Sequence, residues 1–170
     1  MTTFVALLRA VNVGGRKLAM KDLKAIAVEA GLKNARTFIA SGNLLFESGK
    51  SEVEVARLLE ERLGKHMDAQ VPVFVRTGCE MADVASANPF SREQASRVVA
   101  IFLKEPPEKH LIDDVHGLAD EGLALGRREI YVHYPSGMGR SKLRLPGRVA
   151  GTARNMNTVS RLAELAKEAE

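Results

Sequence analysis

Between Phe4 and Arg76 the apolar residues switch back and forth between strand-like runs and helix-like spacing, and few folds accommodate the order in which they do so. The run Phe4-Val5-Ala6-Leu7-Leu8 predicts a buried strand over 4–10, with a turn at Asn12-Val13-Gly14-Gly15 after it. Met20, Leu23, Ile26, Ala27 and Ala30 then recur at helical spacing, and Gly31 marks the stop. Strands over 36–40 and 43–47 follow, joined by Ser41-Gly42 as a tight hairpin in which Gly42 supplies a positive φ. Ser51 with Glu54 spells a capping box ahead of a helix carrying Val55, Leu58, Leu59 and Leu63, and 71–76 is again strand-like. Strand, helix, strand, strand, helix, strand is the split βαβ order. The expected fold class is therefore α+β, with a ferredoxin-like (βαββαβ) subdomain over 1–78.

The rest of the chain, 79–170, reads as a second, smaller and related α+β subdomain, although no repeat is visible in the letters. Thr77 with Glu80 opens a helix that Asn88-Pro89 ends. A strand is expected over 97–104, a short helix from Pro106-Pro107 to 115, and a hairpin of strands 122–125 and 130–134 around Gly126-Arg127-Arg128. A basic Gly/Pro-rich connection, 135–151, leads to a last helix over 152–168 with Met156, Val159, Leu162, Ala163 and Ala166 on one stripe.

Composition narrows the function classes. With 45% hydrophobic and 27% charged residues the 170-residue chain is an ordinary globular sequence rather than a disordered one. Its single cysteine, Cys79, cannot form an intramolecular bridge and points to a reducing compartment. The first apolar run is cut off at Arg9, far short of the roughly 20 residues a membrane span requires, so a cytoplasmic protein without a membrane partner is expected. The net charge of +4 is unevenly spread. Residues 9–36 hold seven Lys/Arg against Asp22 and Glu29, and 127–161 hold eight against Glu129 alone. Residues 80–121 reverse this with nine acids and four bases. Two basic stretches that met would attract anions; scattered, they would be solvated surface.

Three separated segments carry a resemblance: Leu7-Leu8-Arg9-Ala10-Val11-Asn12-Val13-Gly14-Gly15, then Ser41-Gly42-Asn43 with Phe46, then Gly151-Thr152-Ala153-Arg154-Asn155 with Asn157-Thr158. Together with Val75-Arg76-Thr77, Asn88-Pro89-Phe90 and Ser141-Lys142-Leu143, they make the chain similar to the bacterial domain of unknown function 1697 family (DUF1697). The resemblance spans essentially the whole chain. It implies a two-subdomain α+β fold, the first ferredoxin-like, and no activity. The family usually carries tryptophan directly after the Arg-Asn pair, where this chain has Met156.

Physics alone singles out two anion-site candidates. If 152–168 is a helix, Thr152, Arg154, Asn155 and Asn157 lie in its first turn, where unpaired N–H groups and the helix dipole favour an anion. The competing reading is that Thr152 or Asn155 caps the helix and Arg154 pairs with a carboxylate. After the first strand, Arg9, Asn12, Gly14, Gly15, Arg16 and Lys17 form the second candidate, since glycines let a backbone approach a phosphate closely. A plain turn competes, because neither the P-loop nor the Gly-x-Gly-x-x-Gly spacing is present and no cofactor is expected. Ser41 and Asn43 read as turn residues first and ligands second.

Other chemistries find little support. No zinc site is expected, because His66, His110, His116 and His133 never fall at i, i+4 and no Cys-x-x-Cys occurs. Nucleic-acid binding would rest on phosphate contacts, since Asn43-Leu44-Leu45-Phe46-Glu47 lacks the stacking aromatics of RNA-binding sheets. Cys79 reads as a buried, inert thiol. The combined expectation is a phosphate-recognising protein for a nucleotide or nucleic-acid backbone. In it Arg9, Asn12, Gly14, Gly15 and Lys17, with Ser41 and Asn43, face Thr152, Arg154, Asn155 and Asn157, and Lys142 joins them. The rivals are an enzyme acting on a phosphorylated small molecule through Tyr131 or His133, and a structural or protein-interaction module without a ligand. The oligomeric state is open.

Overall fold

A computed structural model describes residues 1–170 and shows eight strands in two antiparallel sheets of four, with four helices. The chain divides into two units, Met1–Ala82 with Leu162–Glu170, and Asp83–Arg161. No helix is long and apolar enough to cross a membrane.

In the first unit β1 (Thr2–Leu8) runs between β3 (Asn43–Ser48) and β4 (Val73–Thr77), with β2 (Lys33–Thr37) beyond β3. A central strand is covered on both faces, and Phe4 to Leu8 are correspondingly buried throughout. Phe4 and Ala6 alternate with Val5 and Leu7 across the sheet. Phe4 lies opposite Phe46, their rings stacked at 5.6 Å. The helices α1 (Met20–Glu29) and α2 (Glu52–Met67) cover the Phe4 face with Leu23, Ile26, Leu59 and Leu63. Ser51 and Glu54 cap α2 reciprocally, as the sequence predicts. The element order and the strand order β2-β3-β1-β4 agree with the expected split βαβ arrangement.

The second unit repeats that strand order. β5 (Val98–Leu103) runs between β7 (Glu129–His133) and β8 (Gly151–Asn155), with β6 (Gly122–Leu125) at the edge, giving β6-β7-β5-β8. Thr77 and Glu80 cap α3 (Gly78–Ser86). Tyr131 on β7 donates its hydroxyl to the Val84 carbonyl of that helix at 2.8 Å.

Several expectations are corrected. Ser41-Gly42 is not a two-residue hairpin: β2 ends at Thr37, and the longer loop closes through the Phe38 N–H donating to the Asn43 carbonyl. Gly42 is still required, because at φ 87° an added Cβ would lie 2.6 Å from Val11 Cγ2. Pro106-Pro107 do not start a helix; a single 3-10 turn, Leu111–Asp114, forms later, buried only through Leu111. Cys79 is exposed, because the buried side chains of α3 are those of Met81 and Val84 and the thiol lies off their face. The last helix, α4, spans Met156–Glu168 rather than starting at 152. Thr152 and Arg154 are buried and alternate with exposed Ala153, which is the period of a strand, and they pair with Phe102 and Ala100 of β5.

Candidate functional site

The loop that leaves β1 bends four times into the left-handed region, at Ala10 (φ 58°), Asn12 (57°), Gly14 (58°) and Gly15 (84°). Glycine and asparagine accept this conformation readily; Ala10 does so against a steric cost of about 1 kcal/mol. Asn12 holds the bend. Its Nδ2 donates to the carbonyls of Leu18 (3.1 Å) and Ala40 (2.6 Å), and its Oδ1 accepts from the Leu18 N–H at 2.8 Å. The residue proposed as a ligand therefore has its carboxamide committed to joining loop 9–17 to loop 38–42.

The second loop is built in the same way. Asn43 is fully buried and donates from Nδ2 to the Phe38 carbonyl (2.9 Å) and to Ser41 Oγ (3.0 Å). The Leu8 N–H donates to the Gly42 carbonyl at 2.9 Å. Ile39 between them is left-handed (φ 53°) and exposed, a β-branched residue in a conformation that costs about 1–3 kcal/mol. Nothing in the sequence signals this, since neither alanine nor isoleucine favours a positive φ.

Arg9, Asn12, Gly14, Gly15 and Lys17 are thus brought together with Ser41 and Asn43 at one end of the first sheet. The cations and amides of loop 9–17 face outward. The Arg9 and Lys17 side chains are exposed, with no ion pair or hydrogen bond, and the N–H groups of Val13, Gly14 and Gly15 have no partner. Arg16 Nη1 reaches the Gln70 carbonyl at 3.3 Å, and the Arg9 N–H donates to the Pro72 carbonyl. No acidic residue occurs from Arg9 to Lys21 or from Phe38 to Gly42.

The second group, Thr152, Arg154, Asn155 and Asn157, has a different character. Arg154 lies in a strand and not in the first turn of a helix. It is buried, and Nη1 donates to Thr152 Oγ1 (2.7 Å) and to the Ala153 carbonyl (2.9 Å). Burial pulls its pKa down to about 10, so it stays charged at neutral pH. Asn155 caps α4, its Oδ1 accepting the Thr158 N–H at 3.0 Å. Asn157 is exposed in the first turn. Lys142 is exposed on the connection from β7 to β8, beside the bridge in which His116 and Arg144 exchange main-chain hydrogen bonds of 2.9 and 2.8 Å. Arg148 on that connection is occupied, pairing with Asp114 and Glu108.

The acid–base candidates are also constrained. Burial, with Glu129 nearby, pushes the Tyr131 hydroxyl well above its usual pKa, so it keeps its proton at neutral pH. His133 packs on Phe90 with ring centroids 5.7 Å apart and has Glu93 at 3.8 Å. No three His, Cys, Asp or Glu side chains gather in a way that could hold a metal ion.

Arg76, which the sequence marks only as part of the family resemblance, is the first unit's counterpart of Arg154. It is buried on β4 opposite Val5, as Arg154 is on β8 opposite Ala100, and each donates from Nη1 to the carbonyl of the preceding residue. Each is followed by a helix-capping residue, Thr77 or Asn155. A charged residue inside an apolar strand was the available signal in Val73-Phe74-Val75-Arg76-Thr77.

Comparison with known proteins adds a family and a fold. A family model described as a protein of unknown function, DUF1697, matches residues 1–131. No curated protein matches the chain. The solved structure of a conserved bacterial protein from Streptococcus pneumoniae is similar at a TM-score of 0.82 and 23% identity, covering 98% of this chain and 99% of that one.

Proposed function

Because the chain belongs to the DUF1697 family, for which no function is known, we propose on the loop geometry alone that loop 9–17 recognises the phosphate of a nucleotide or nucleic-acid backbone. One observation carries this reading: two unpaired cations, Arg9 and Lys17, flank three unpaired N–H groups at Val13, Gly14 and Gly15, in a segment without an acidic residue. Backbone amides and cations of this kind are the usual ingredients of phosphate contacts. Asn12, Ser41 and Asn43 set the shape of the loops, and Arg9 and Lys17 supply the attraction.

Thr152, Arg154 and Asn155 favour a structural role, since the Arg154 guanidinium donates internally and Asn155 caps α4. Asn157 and Lys142, both exposed, stay as secondary candidates for phosphate contact.

Fluorescence anisotropy with labelled RNA, DNA and nucleotides across a salt series tests the proposal. Binding is expected at low salt, with log K falling by about 0.7–0.9 per phosphate neutralised for each unit of log salt. An Arg9→Ala/Lys17→Ala double variant is expected to weaken binding alike for all sequences and to reduce the slope by about 1 per cation. Absence of binding at low salt rejects the reading.

A further inference from the structure

The strands β2 and β6 hold the same place in their respective sheets, each at an edge and paired on one side only. β2 is guarded. It begins at Lys33, carries Arg36, and shifts register between them, where Asn34 is left-handed (φ 52°). Charges and irregularities of this sort keep an edge from pairing with another chain. β6 reads Gly122-Leu123-Ala124-Leu125, with no charge, no proline and an unbroken register against β7.

That register fixes which main-chain groups look outward. The Gly126 N–H donates to the Glu129 carbonyl at 2.7 Å, and Ala124 lies opposite Tyr131. Antiparallel pairs alternate, so Gly122 and Ala124 bond to β7, whereas Leu123 and Leu125 turn their N–H and C=O groups to the open side. Those groups have no partner there.

The flanks of the strand identify the occupant. Asp120 and Glu121 precede it; Arg127 and Arg128 follow Gly126. Glu121 is held in place by the Ala119 N–H and the Ser141 hydroxyl, which fixes a negative charge at the strand's entry. A second copy laid antiparallel about Ala124 sets Leu123 against Leu125, so the outward groups satisfy one another. The same alignment sets Glu121 against Arg127 and Asp120 against Arg128. A parallel alignment would instead set like charges together.

We propose that β6 is the pairing edge of a homodimer, joining two copies antiparallel about Ala124 into one continuous sheet. A strand this short buries far less than the ~800 Å² per partner of a stable interface, so the dimer is weak and concentration-dependent, and salt loosens it further.

Analytical ultracentrifugation of the full chain at rising concentration reads the association, and cysteine cross-linking reads the register. In a Cys79→Ser background, Ala124→Cys is expected to form an intermolecular disulfide on mild oxidation. Ala124 meets its own copy in a non-hydrogen-bonded pair, where Cα atoms lie ~4.5 Å apart, within the range a disulfide spans. Leu123→Cys, which faces Leu125 of the second copy, is expected not to cross-link. Arg127→Glu is expected to weaken association about tenfold, and adding Glu121→Lys to the same chain to restore it. A mass that stays monomeric at every concentration, cross-linking through Leu123→Cys as readily as through Ala124→Cys, or an Arg127→Glu variant that associates unchanged would each overturn the proposal.

Discussion

In the first unit the chain passes from β1 to β2 through the 10-residue α1 and from β3 to β4 through the 16-residue α2. At the corresponding points of the second unit it passes from β5 to β6 through a four-residue 3-10 turn, and from β7 to β8 through an irregular stretch with one further turn, Met138–Arg140. The strand order is the same in both. What differs is the cover. On the first sheet, two amphipathic helices close a cluster of nineteen buried apolar residues. On the second, Leu111 and Leu143 belong to a cluster of six, and polar ties hold the connection down: the His116–Arg144 bridge and the pairing of Arg148 with Asp114 and Glu108. One topology is thus covered in two ways, by helices over a large apolar cluster on the first sheet and by short turns, a smaller cluster and polar ties on the second.

The largest expected effect tests this difference directly. Leu59→Ala removes a fully buried side chain between α2 and the first sheet, where neighbours on two helices and a sheet cannot collapse into the space. A loss of about 3–5 kcal/mol is expected in urea unfolding. Leu111→Ala empties a site roofed by a single turn and an irregular connection rather than by helices, and about 2 kcal/mol is expected. Equal losses would mean that the 3-10 turn packs as tightly as a helix, and the contrast between the units would fall.

The same difference explains what was legible in the sequence. Where long periodic segments carry the cover, as with Leu23 and Ile26 or Leu59 and Leu63, the elements and their order follow from spacing alone. Where short segments do so, the spacing misleads. Gly151-Thr152-Ala153-Arg154-Asn155 has too few apolar letters to display its strand period, and it merges with the helical pattern that begins at Met156. The match between β4 and β8 is equally hidden, because Val-Phe-Val-Arg-Thr and Gly-Thr-Ala-Arg-Asn agree at one position, Arg76 with Arg154, and the equivalence lies in register rather than composition. Of the candidate site, the turn at Gly14 and Gly15 is legible from residue type, and both glycines are left-handed there. The commitment of the Asn12 carboxamide to Leu18 and Ala40 is not legible, since it depends on a loop 28 residues away.

An intermediate effect is expected at alkaline pH, confined to the second unit. Both tyrosines of the chain, Tyr131 and Tyr134, lie there. Burial raises the pKa of each in the folded protein, with Glu129 adding to the effect at Tyr131 and Glu121 at Tyr134, where Arg144 opposes it. In the unfolded chain tyrosine ionises near 10, so the stability these hydroxyls contribute is whole below that pH. It is lost as pH rises toward the elevated folded values. Tyr131→Phe is expected to lose about 1 kcal/mol at neutral pH with its bond to the Val84 carbonyl, and to show a shallower decline above about pH 10. Hydrogen exchange resolved by residue reads the effect; an alkaline loss shared by the amides of the first sheet would contradict the confinement.

The smallest effect concerns the caps. At α2 the Glu54 N–H donates to Ser51 Oγ at 3.2 Å while Glu54 Oε2 accepts the Ser51 N–H at 2.7 Å; α4 has one such bond, from the Thr158 N–H to Asn155. Ser51→Ala removes half of the reciprocal pair, an exposed bond, and is expected to cost about 0.5 kcal/mol. The other half survives, because the main-chain N–H of residue 51 persists in the variant. That N–H, aided by the Ser51 hydroxyl, is what holds the Glu54 carboxyl below its usual pKa. A lowered folded pKa means a contribution that is complete above the unfolded value and disappears as pH falls through the folded one. Urea unfolding followed from neutral pH into the acid range therefore separates the two halves: Ser51→Ala shifts the midpoint at neutral pH, and the acid-dependent part of the stability shrinks without vanishing. If it vanished, the hydroxyl rather than the main-chain N–H would be what stabilises the Glu54 carboxylate.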